Sequence, residues 1–228
     1  MKVACLWSGG KDSAYACYLA SKMGFKVARI ITFLPQNPES RLFHVPNVKW
    51  TTLQAESMGI SQDLVSVPYN DEHRMLKPAF LRLKELHGVD GLVSGVISSN
   101  YQRRIFKEVC DEIGLKFITP LWGKDPLNIL RCILNENFKA LIVGVYAEGL
   151  TRQWLGKEMN TDFILCLEKL SKSWGIHPCG EGGEYETFVV DAPCFKKRIR
   201  VVNYEIRWYR NWGEVTILNA ELAEKRDT

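Results

Sequence analysis

The residues with the clearest chemical potential form one short segment near the N-terminus, Ser8-Gly9-Gly10-Lys11-Asp12-Ser13. It follows an apolar run and precedes an amphipathic stretch, so we expect a strand-to-helix turn. The paired glycines let the backbone approach a ligand closely, beside the unpaired amides of the first helical turn. That end of a helix favours an anion such as phosphate, Lys11 adds positive charge, and Asp12 is placed to hold a divalent cation. The segment predicts a phosphate site.

This segment differs from two common nucleotide-binding loops. The usual triphosphate loop needs a glycine five positions before Gly10 and a Ser or Thr after the lysine, where this chain has Cys5 and Asp12. A Gly-x-Gly-x-x-Gly dinucleotide signature is also missing from the sequence. The alternative is a serine-capped turn without a ligand, but the strand-helix setting of all six residues favours binding.

A second candidate segment runs from Cys179 to Thr187 and combines three carboxylates with three glycines. The carboxylates of Glu181, Glu184 and Glu186 suit binding of Mg²⁺, orientation of an amine nucleophile or uptake of its proton. A solvated acidic turn is the alternative. Carboxylates this dense are costly to hold together without a cation, which favours a functional loop.

A third candidate segment, residues 95–104, follows the predicted strand at Gly91 to Ser94. It therefore lies at the carboxyl edge of the sheet, where open α/β folds bind ligands. Ser98 or Ser99 is expected to cap the next helix, and the two arginines have forked donors suited to phosphate or carboxylate. A cap followed by a solvated basic turn is the alternative.

Short apolar runs alternate with amphipathic stretches through the first two thirds of the chain, which predicts an α/β fold. We expect a Rossmann-like (HUP-type), mostly parallel sheet with helices on both faces and a smaller mixed α+β C-terminal domain. The predicted domains are 1–125, with the phosphate loop, and 126–228, with the acidic loop. The predicted strands are Lys2 to Trp7, Val27 to Phe33, Leu64 to Val67, Gly91 to Ser94, Phe117 to Ile118, Ala140 to Val145, Phe188 to Val190, Arg198 to Trp208 and Glu214 to Leu218.

Helices are predicted between these strands, and a glycine follows most of them, where a left-handed cap costs least. The last hairpin is expected to turn at Asn211-Trp212-Gly213, and the tail Ala220 to Thr228 to fray. The predicted helices are Asp12 to Met23, Thr52 to Met58, Asp71 to Leu86, Tyr101 to Ile113, Leu127 to Asn135 and Asp162 to Trp174, and the capping glycines are Gly24, Gly59, Gly88, Gly114 and Gly175.

Composition excludes several classes of protein. With 228 residues, 46% hydrophobic and 25% charged, the chain is typical of a globular protein rather than a disordered or fibrous one. Its longest apolar runs fall short of the roughly 18 residues that span a bilayer, and the N-terminus does not resemble a signal peptide, so we expect no membrane partner and a cytoplasmic location. Its seven cysteines include no Cys-x-x-Cys pair, which argues against a disulfide scaffold or structural zinc.

The first segment resembles the signature Ser-Gly-Gly-x-Asp-Ser of the PP-loop ATP pyrophosphatases. Members of that superfamily cleave ATP between the α and β phosphates and form an adenylated intermediate. The resemblance implies that Ser8, Gly9, Gly10, Lys11, Asp12 and Ser13 bind the pyrophosphate of ATP, that Asp12 helps to bind Mg²⁺, and that AMP and PPi are released.

Three further motifs are similar to those of the diphthine-ammonia ligase family: residues 95–102, Pro120-Leu121-Trp122 and, most specifically, residues 180–187. They occur in the expected order from the first strand to about Phe195. The resemblance implies that Ser99, Tyr101 and Gln102 bind the nucleotide and that Glu181 joins Asp12 as a metal ligand. Ile105 stands where the family has an arginine, so we assign no substrate role to Arg103 or Arg104.

The implied reaction is the last step of diphthamide synthesis, in which ATP and ammonia convert the carboxylate of diphthine on translation elongation factor 2 into an amide. Lys11, Asp12, Glu184 and Glu186 are the candidate catalytic residues, and either of these glutamates is a candidate for guiding ammonia. Free ammonia is expected because Met1-Lys2 cannot supply an N-terminal Cys nucleophile and the chain is too short for a glutaminase domain. The sequence leaves the oligomeric state open, a homodimer included.

Two rival functions remain open. One is an ATP-dependent tRNA-modifying enzyme of the PP-loop type, against which stand the missing Cys-x-x-Cys and a net charge of only +4 without a basic stripe, so no direct nucleic-acid contact is expected. The other is a non-catalytic nucleotide-binding module. The presence of Lys11, Asp12 and the acidic loop favours an enzyme.

Overall fold

The computed structural model of the chain describes residues 1–37, 42–43, 47–69 and 71–225. These residues form nine strands, six α-helices and two short 3₁₀ turns. The strands are β1 Lys2–Leu6, β2 Lys26–Pro35, β3 Ser61–Val67, β4 Gly91–Val93, β5 Lys116–Ile118, β6 Lys139–Val145, β7 Tyr185–Asp191, β8 Arg198–Tyr209 and β9 Trp212–Ala223. The helices are α1 Lys11–Lys22, α2 Thr51–Met58, α3 Glu72–His87, α4 Asn100–Ile113, α5 Pro126–Asn135 and α6 Thr161–Trp174, and the 3₁₀ turns are Val48–Trp50 and Arg152–Trp154.

A five-stranded parallel sheet forms the first layer, with strand order β3-β2-β1-β4-β5. The chain winds outward in both directions from β1, so the winding reverses between β1 and β4. Open α/β sheets bind their ligands at such a reversal, beyond the carboxyl ends of the strands. The segments that follow β1 and β4 are therefore brought together at one edge.

Helices cover both faces of this sheet, as the sequence predicted. Alternate residues of β1 point to opposite faces, with Val3 and Cys5 in one apolar cluster and Ala4 in the other. Helices α1 and α2 pack in the first cluster, and α3 and α4 pack in the second. The predicted glycine caps at the ends of the helices are confirmed, since each has a positive φ.

A second sheet of four antiparallel strands has the order β7-β6-β9-β8. Its apolar residues join the α1 and α2 cluster, so the core on this face is continuous between the two sheets. Residues 140–145 read as one more strand of the parallel series, whereas β6 lies in this antiparallel sheet. The run is buried on both sides, and such a strand looks the same in either kind of sheet.

Two predicted boundaries differ in the second sheet. The strand after the acidic loop begins at Tyr185 rather than Phe188, because Tyr185 and Glu186 already pair with β6. The last hairpin turns through residues 210–211, and Gly213 pairs with Trp208 inside the ladder, where an added Cβ would lie 2.6 Å from the Trp208 ring. The glycine serves close packing there, not the turn.

The tail is also more ordered than expected, since β9 continues to Ala223 and Lys225 pairs with Asp191 at 2.8 Å. The last part of the predicted frayed segment, 226–228, lies outside the described residues. Among the helices of the described ranges, we find none with both the length and the apolar character that crossing a membrane requires.

Candidate active site

A cavity of about 580 Å³ opens at the carboxyl edge of the parallel sheet, between β1, β4 and the second sheet. Three sequence segments that are far apart in the chain line it: the turn after β1, the segment after β4 and the acidic loop with the start of β7. Its walls include Ser8, Asp12, Ser13, Gln102, Glu181 and Glu186. The structure therefore brings the three candidate segments into one site.

The turn after β1 is held in shape by its own serines. The Ser8 and Ser13 hydroxyls are 3.0 Å apart, the Ser13 hydroxyl donates to the Gly10 carbonyl at 3.0 Å, and the Gly10 amide donates to the Ser8 hydroxyl at 3.3 Å. Gly9 has φ +85°, a conformation that favours glycine. Gly10 is the N-cap of α1 and has no capping side chain of its own. The positive end of α1 is thus directed at the cavity.

Gln54 of α2 holds this turn from behind and is fully buried. Its amide nitrogen donates to the Gly9 carbonyl at 3.0 Å and to the Val189 carbonyl at 2.7 Å. Its carbonyl oxygen accepts a hydrogen bond from the Trp7 indole at 2.6 Å. One side chain therefore fixes the turn, the preceding strand and β7 relative to one another.

The Lys11 side chain is buried within the turn, with 3% of its surface exposed. Its ammonium donates to the Cys179 carbonyl at 2.6 Å, pairs with the Asp12 carboxylate at 2.9 Å and lies 4.6 Å from the centre of the Tyr185 ring. Burial lowers the pKa of Lys11, but the Asp12 carboxylate, Tyr185 and Cys179 together outweigh that effect, so the net pKa is raised above its ordinary value. The ammonium stays charged and joins the turn to the acidic loop.

Thr187 of β7 caps the first turn of α1, because its hydroxyl accepts a hydrogen bond from the Lys11 amide at 3.1 Å. The Asp12 side chain on the same turn is 27% exposed and lines the cavity. The second sheet thus completes the helix end that the first sheet presents.

Glu181 of the acidic loop accepts hydrogen bonds from the backbone amides of Ile97 at 2.8 Å and Ser98 at 2.7 Å, one to each carboxylate oxygen. The Ser98 hydroxyl donates to the same carboxylate, and the His177 ring lies 3.9 Å from it. Glu181 therefore joins the acidic loop to the segment after β4.

Glu184 and Glu186 have different surroundings. The Glu184 carboxylate accepts from the backbone amides of His177 at 2.7 Å and Gly182 at 2.8 Å, which closes the acidic loop on itself, and Glu184 does not line the cavity. Glu186 lies in β7 and does line it. Of the three carboxylates of the motif, Glu186 is the one that both belongs to a strand and faces the cavity.

The candidate residues of the segment after β4 also differ in whether they line the cavity. Ser99 caps α4 by accepting from the Gln102 amide at 3.4 Å, and Gln102 lines the cavity. The Tyr101 hydroxyl contacts the His73 ring at 3.2 Å, and neither Ser99 nor Tyr101 lines the cavity. Gly95 packs against α1 so closely that a Cβ would lie 2.8 Å from the Asp12 backbone.

Ile105 occupies the position at which the resemblance predicts an arginine. Ile105 is buried in the α3 and α4 cluster. The Arg103 guanidinium lies over the Trp122 ring, 4.4 Å from its centre, and Arg104 is on the exposed surface, 3.9 Å from Glu108. The structure is consistent with leaving both arginines out of substrate binding.

Sequence reasoning missed four residues that shape the site: Gln54, Thr187, Tyr146 and Glu214. Gln54 lies in a short helix, and in the sequence a polar residue of a helix reads as surface. Thr187 reads in the sequence only as the last residue of the acidic motif. Tyr146 and Glu214 reach the cavity through the pairing of β6 with β9, which no local pattern reveals.

The candidate ligands for Mg²⁺ at this cavity are the carboxylates of Asp12 and Glu181. Groups of three or more His, Cys, Asp or Glu side chains able to hold a metal are absent from the described residues. Both Glu181 oxygens accept from amides, whereas Asp12 presents a carboxylate at the helix end. Mg²⁺ commonly uses one or two carboxylates together with substrate phosphates, and Asp12 and Glu181, which both line the cavity, are the candidate ligands.

The doubly wound sheet, the serine-glycine turn at the end of α1 and the cavity beyond it define an α/β protein of the PP-loop type. The family model described as diphthamide synthase N-terminal domain matches residues 1–117, and the one described as diphthamide synthase C-terminal domain matches residues 125–223. The chain belongs to the diphthamide synthase family and is an enzyme of the ligase class.

Curated relatives carry a single printed name, diphthine-ammonia ligase. The human protein is 30% identical over 90% of this chain and 85% of its own length, and the Danio rerio protein is 32% identical over 87% and 86%. The Schizosaccharomyces pombe protein is 33% identical over 99% of this chain but only 40% of its own length, so that relative is much longer.

A solved structure, described as a predicted subunit of tRNA methyltransferase from Methanocaldococcus jannaschii, aligns with a TM-score of 0.45 and 16% identity over 85% of this chain and 98% of that one. So slight a likeness does not bear on function.

Proposed function

We propose that this protein is an ATP-dependent amide ligase that adenylates the carboxylate of diphthine on translation elongation factor 2 and then transfers ammonia to give diphthamide. One observation carries the proposal: strand β7 joins a phosphate-binding helix end to a cavity-facing carboxylate. Its Thr187 hydroxyl accepts from the Lys11 amide at the start of α1, and its Glu186 carboxylate lines the cavity. The names of the curated relatives support the same reaction.

The first step forms an acyl adenylate. An oxygen of the substrate carboxylate attacks the α-phosphorus of ATP, and the bond from that phosphorus to the bridging oxygen breaks to release PPi. The serine-glycine turn and the amides at the start of α1 bind the pyrophosphate, and their positive end stabilises the charge that develops on it. Asp12 would hold Mg²⁺, which supplies further positive charge to the phosphates.

The second step forms the amide. The lone pair of ammonia attacks the acyl carbon, the bond from that carbon to the phosphate oxygen breaks, and AMP leaves. The nitrogen must lose one proton, and we assign its uptake to Glu186, the motif carboxylate that lines the cavity. Glu184, the other candidate, shapes the loop because both its oxygens accept from amides.

Lys11 has a positioning role in this proposal. Its ammonium is directed to the Cys179 carbonyl and Asp12, so it keeps the phosphate turn and the acidic loop in register. The apolar cavity wall at the end of β2, Ile31 and Phe33, is the proposed place of the adenine. We also propose the domain ranges 1–125 and 126–228, supported by the two matched ranges, and a cytoplasmic location beside the elongation factor.

The site argues against sulfur transfer to tRNA. Cys179 is the one cysteine along the cavity wall of the described chain, and burial raises the pKa of its thiol well above the ordinary value. A thiol that stays protonated is a poor nucleophile.

The experiment that tests the proposal is incubation with ATP, ammonium and diphthine-modified elongation factor 2, reading nucleotide products and substrate mass together. AMP and PPi in equal amounts with conversion of the acid to the amide are expected. ADP with orthophosphate would contradict the route, and tight ATP binding without turnover would indicate a non-catalytic module. Asp12→Asn should abolish the reaction, whereas Asp162→Asn on the exposed start of α6 should retain it.

Elution from immobilised tRNA separates the rival function. The chain should elute at low salt because its net charge is only +4, and retention at moderate salt would favour the tRNA-modifying enzyme.

A further inference from the structure

The second sheet presents two aromatic rings and a carboxylate where it reaches the cavity. Gly144 pairs with Glu214 and Val145 with Gly213, so Tyr146 and Trp212 are the next neighbours across the strands. Residues two apart in a strand share a face, and all three side chains therefore lie on the face of Gly144. We call Tyr146, Trp212 and Glu214 the aromatic corner.

The geometry of the aromatic corner is fixed by contacts within the sheet. The Tyr146 hydroxyl donates to the Glu214 carboxylate at 2.8 Å, and the centres of the Tyr146 and Trp212 rings are 6.0 Å apart with 32° between their planes. Tyr209 stacks on Trp212 at 4.2 Å. The Tyr146 ring lies over Gly144, where a Cβ would be 2.6 Å from the hydroxyl oxygen.

The aromatic corner borders the cavity described above. Tyr146 and Glu214 line it beside Glu186, and Trp212, with 36% of its surface exposed, lies next to Tyr146. Glu186 pairs with Gly144 from the other side. The next residue of β7, Thr187, contacts the first amide of α1. Strand β7 therefore lies between the aromatic corner and the serine-glycine turn.

This combination of groups has a definite chemical preference. Aromatic faces attract a cation through their quadrupole, and a carboxylate beside them adds negative charge. Burial first, and then the Glu214 charge, raises the pKa of Tyr146, so its phenol stays neutral and remains a donor to Glu214. An ammonium that carries methyl groups in place of hydrogens cannot donate hydrogen bonds and relies on aromatic faces for recognition.

We propose that the aromatic corner binds an alkylated ammonium group of the acceptor substrate and so selects diphthine. The inference rests on the proposed function, because diphthine is a histidine whose side chain carries a trimethylammonium group on the carbon next to its carboxylate. Binding of that cation at the corner places the carboxylate toward Glu186 and the phosphate-binding turn, where adenylation takes place. The corner therefore acts in specificity, apart from the residues that take part in bond making.

A binding experiment tests the corner without requiring turnover. The full chain is titrated calorimetrically with trimethylglycine, which carries a quaternary ammonium next to a carboxylate, and with 3,3-dimethylbutanoate, its uncharged isostere. Wild type should bind trimethylglycine at least tenfold more tightly than the isostere. Trp212→Leu and Glu214→Gln should each lose about tenfold of that affinity, whereas Trp174→Leu, at an exposed tryptophan of α6, should keep it.

Steady-state kinetics with diphthine-modified elongation factor 2 then show which of the three substrates binds at the aromatic corner. Trp212→Leu and Tyr146→Leu should raise KM for the acceptor about tenfold, with KM for ATP and for ammonium within twofold of wild type. Gly144→Ala, which displaces the Tyr146 ring without removing it, should have the same pattern. A rise confined to KM for ATP would mean that the corner stacks the adenine, and one confined to KM for ammonium would mean that it receives ammonia. Either result overturns the proposal.

The two proposals fail in different ways. If trimethylglycine binds at the corner but the elongation factor is not amidated, the ligase proposal fails and the cation site stands. If amidation proceeds in wild type and in all corner variants with unchanged KM for the acceptor, the ligase proposal stands and the cation site is wrong.

Discussion

The ammonium of Lys11 is 2.6 Å from the carbonyl oxygen of Cys179, a residue 168 positions later in the chain. This hydrogen bond joins the serine-glycine turn at the start of α1 to the loop that carries the acidic motif. A lysine that reads in the sequence as a charge for phosphate is thereby a structural link between the two halves of the site. The link holds the two motifs, far apart in sequence, against the same cavity.

Removing this link should destabilise the fold and weaken nucleotide binding. Lys11→Met leaves the Asp12 carboxylate and the Cys179 carbonyl without their ammonium, and loss of one partner of a buried pair costs about 3 kcal/mol. Urea unfolding measures that loss, and calorimetry with an ATP analogue should detect weaker binding. Lys172→Met removes an exposed ammonium 2.7 Å from Glu168 and should cost less than about 1 kcal/mol. Equal losses in the two variants would refute the structural role of Lys11.

Gln54 should prove as important as any residue of the recognised motifs. Gln54→Leu leaves the Trp7 indole without its acceptor and removes one hydrogen bond from each of the Gly9 and Val189 carbonyls, which we expect to cost about 3 kcal/mol of unfolding free energy. ATP affinity should fall as well because the Gly9 carbonyl then keeps only its hydrogen bond from the Val189 amide, and the turn is held less firmly. Ser57→Ala is the matched control, since this buried serine of the same helix donates to the Lys197 carbonyl, away from the turn. That variant should lose stability and keep its ATP affinity.

Local patterns in the sequence predicted much of the fold. Strand and helix runs, and the glycines that end helices, depend on residues near one another in the chain, and the order of α/β units then predicts a parallel sheet. The partner of β6 depends on residues 40 to 80 positions away. Residues 140–145 therefore predicted a strand correctly but gave no indication that it pairs antiparallel.

The same distinction applies to the candidate site. The serine-glycine turn is a local structure, and its position at the end of α1 followed from its neighbours. Glu181 and Glu184 read as free carboxylates, but each accepts from two backbone amides, and a carboxylate's partners are invisible in a one-dimensional pattern. The roles of Ser8 to Ser13 and Glu186 toward ATP and ammonia stay predictions.

The variant Gly95→Ala tests how closely the segment after β4 must approach the first turn of α1. In Gly95→Ala the added Cβ would lie 2.8 Å from the backbone of Asp12 and from the Ser13 amide, so the first turn of α1 must move. We expect at least a tenfold loss of affinity for an ATP analogue and a loss of about 2 kcal/mol in unfolding free energy. Gly175→Ala, with φ +69° and open space around its Cβ position, should cost about 1 kcal/mol and leave affinity unchanged.

The protein should lose stability in alkaline solution through its buried thiols. Burial raises the pKa of Cys110 from 9.0 to about 12. A group with a raised folded-state pKa contributes stability that is complete below its unfolded pKa and is lost as the pH rises through the folded value. The loss should therefore fall between pH 9 and 12, where Cys110 contributes a slope of about 1.4 kcal/mol per pH unit.

Urea unfolding of wild type and Cys110→Ala across this range measures that slope. The variant should start less stable at pH 8, because a small cavity replaces the thiol, and its stability should then fall less steeply than that of wild type. Ile113→Val truncates a neighbouring core side chain of α4 without removing a titrating group, so it should lower stability equally at every pH. If Cys110→Ala and wild type have parallel curves, the thiol already ionises in the folded state and its burial contributes nothing to alkaline unfolding.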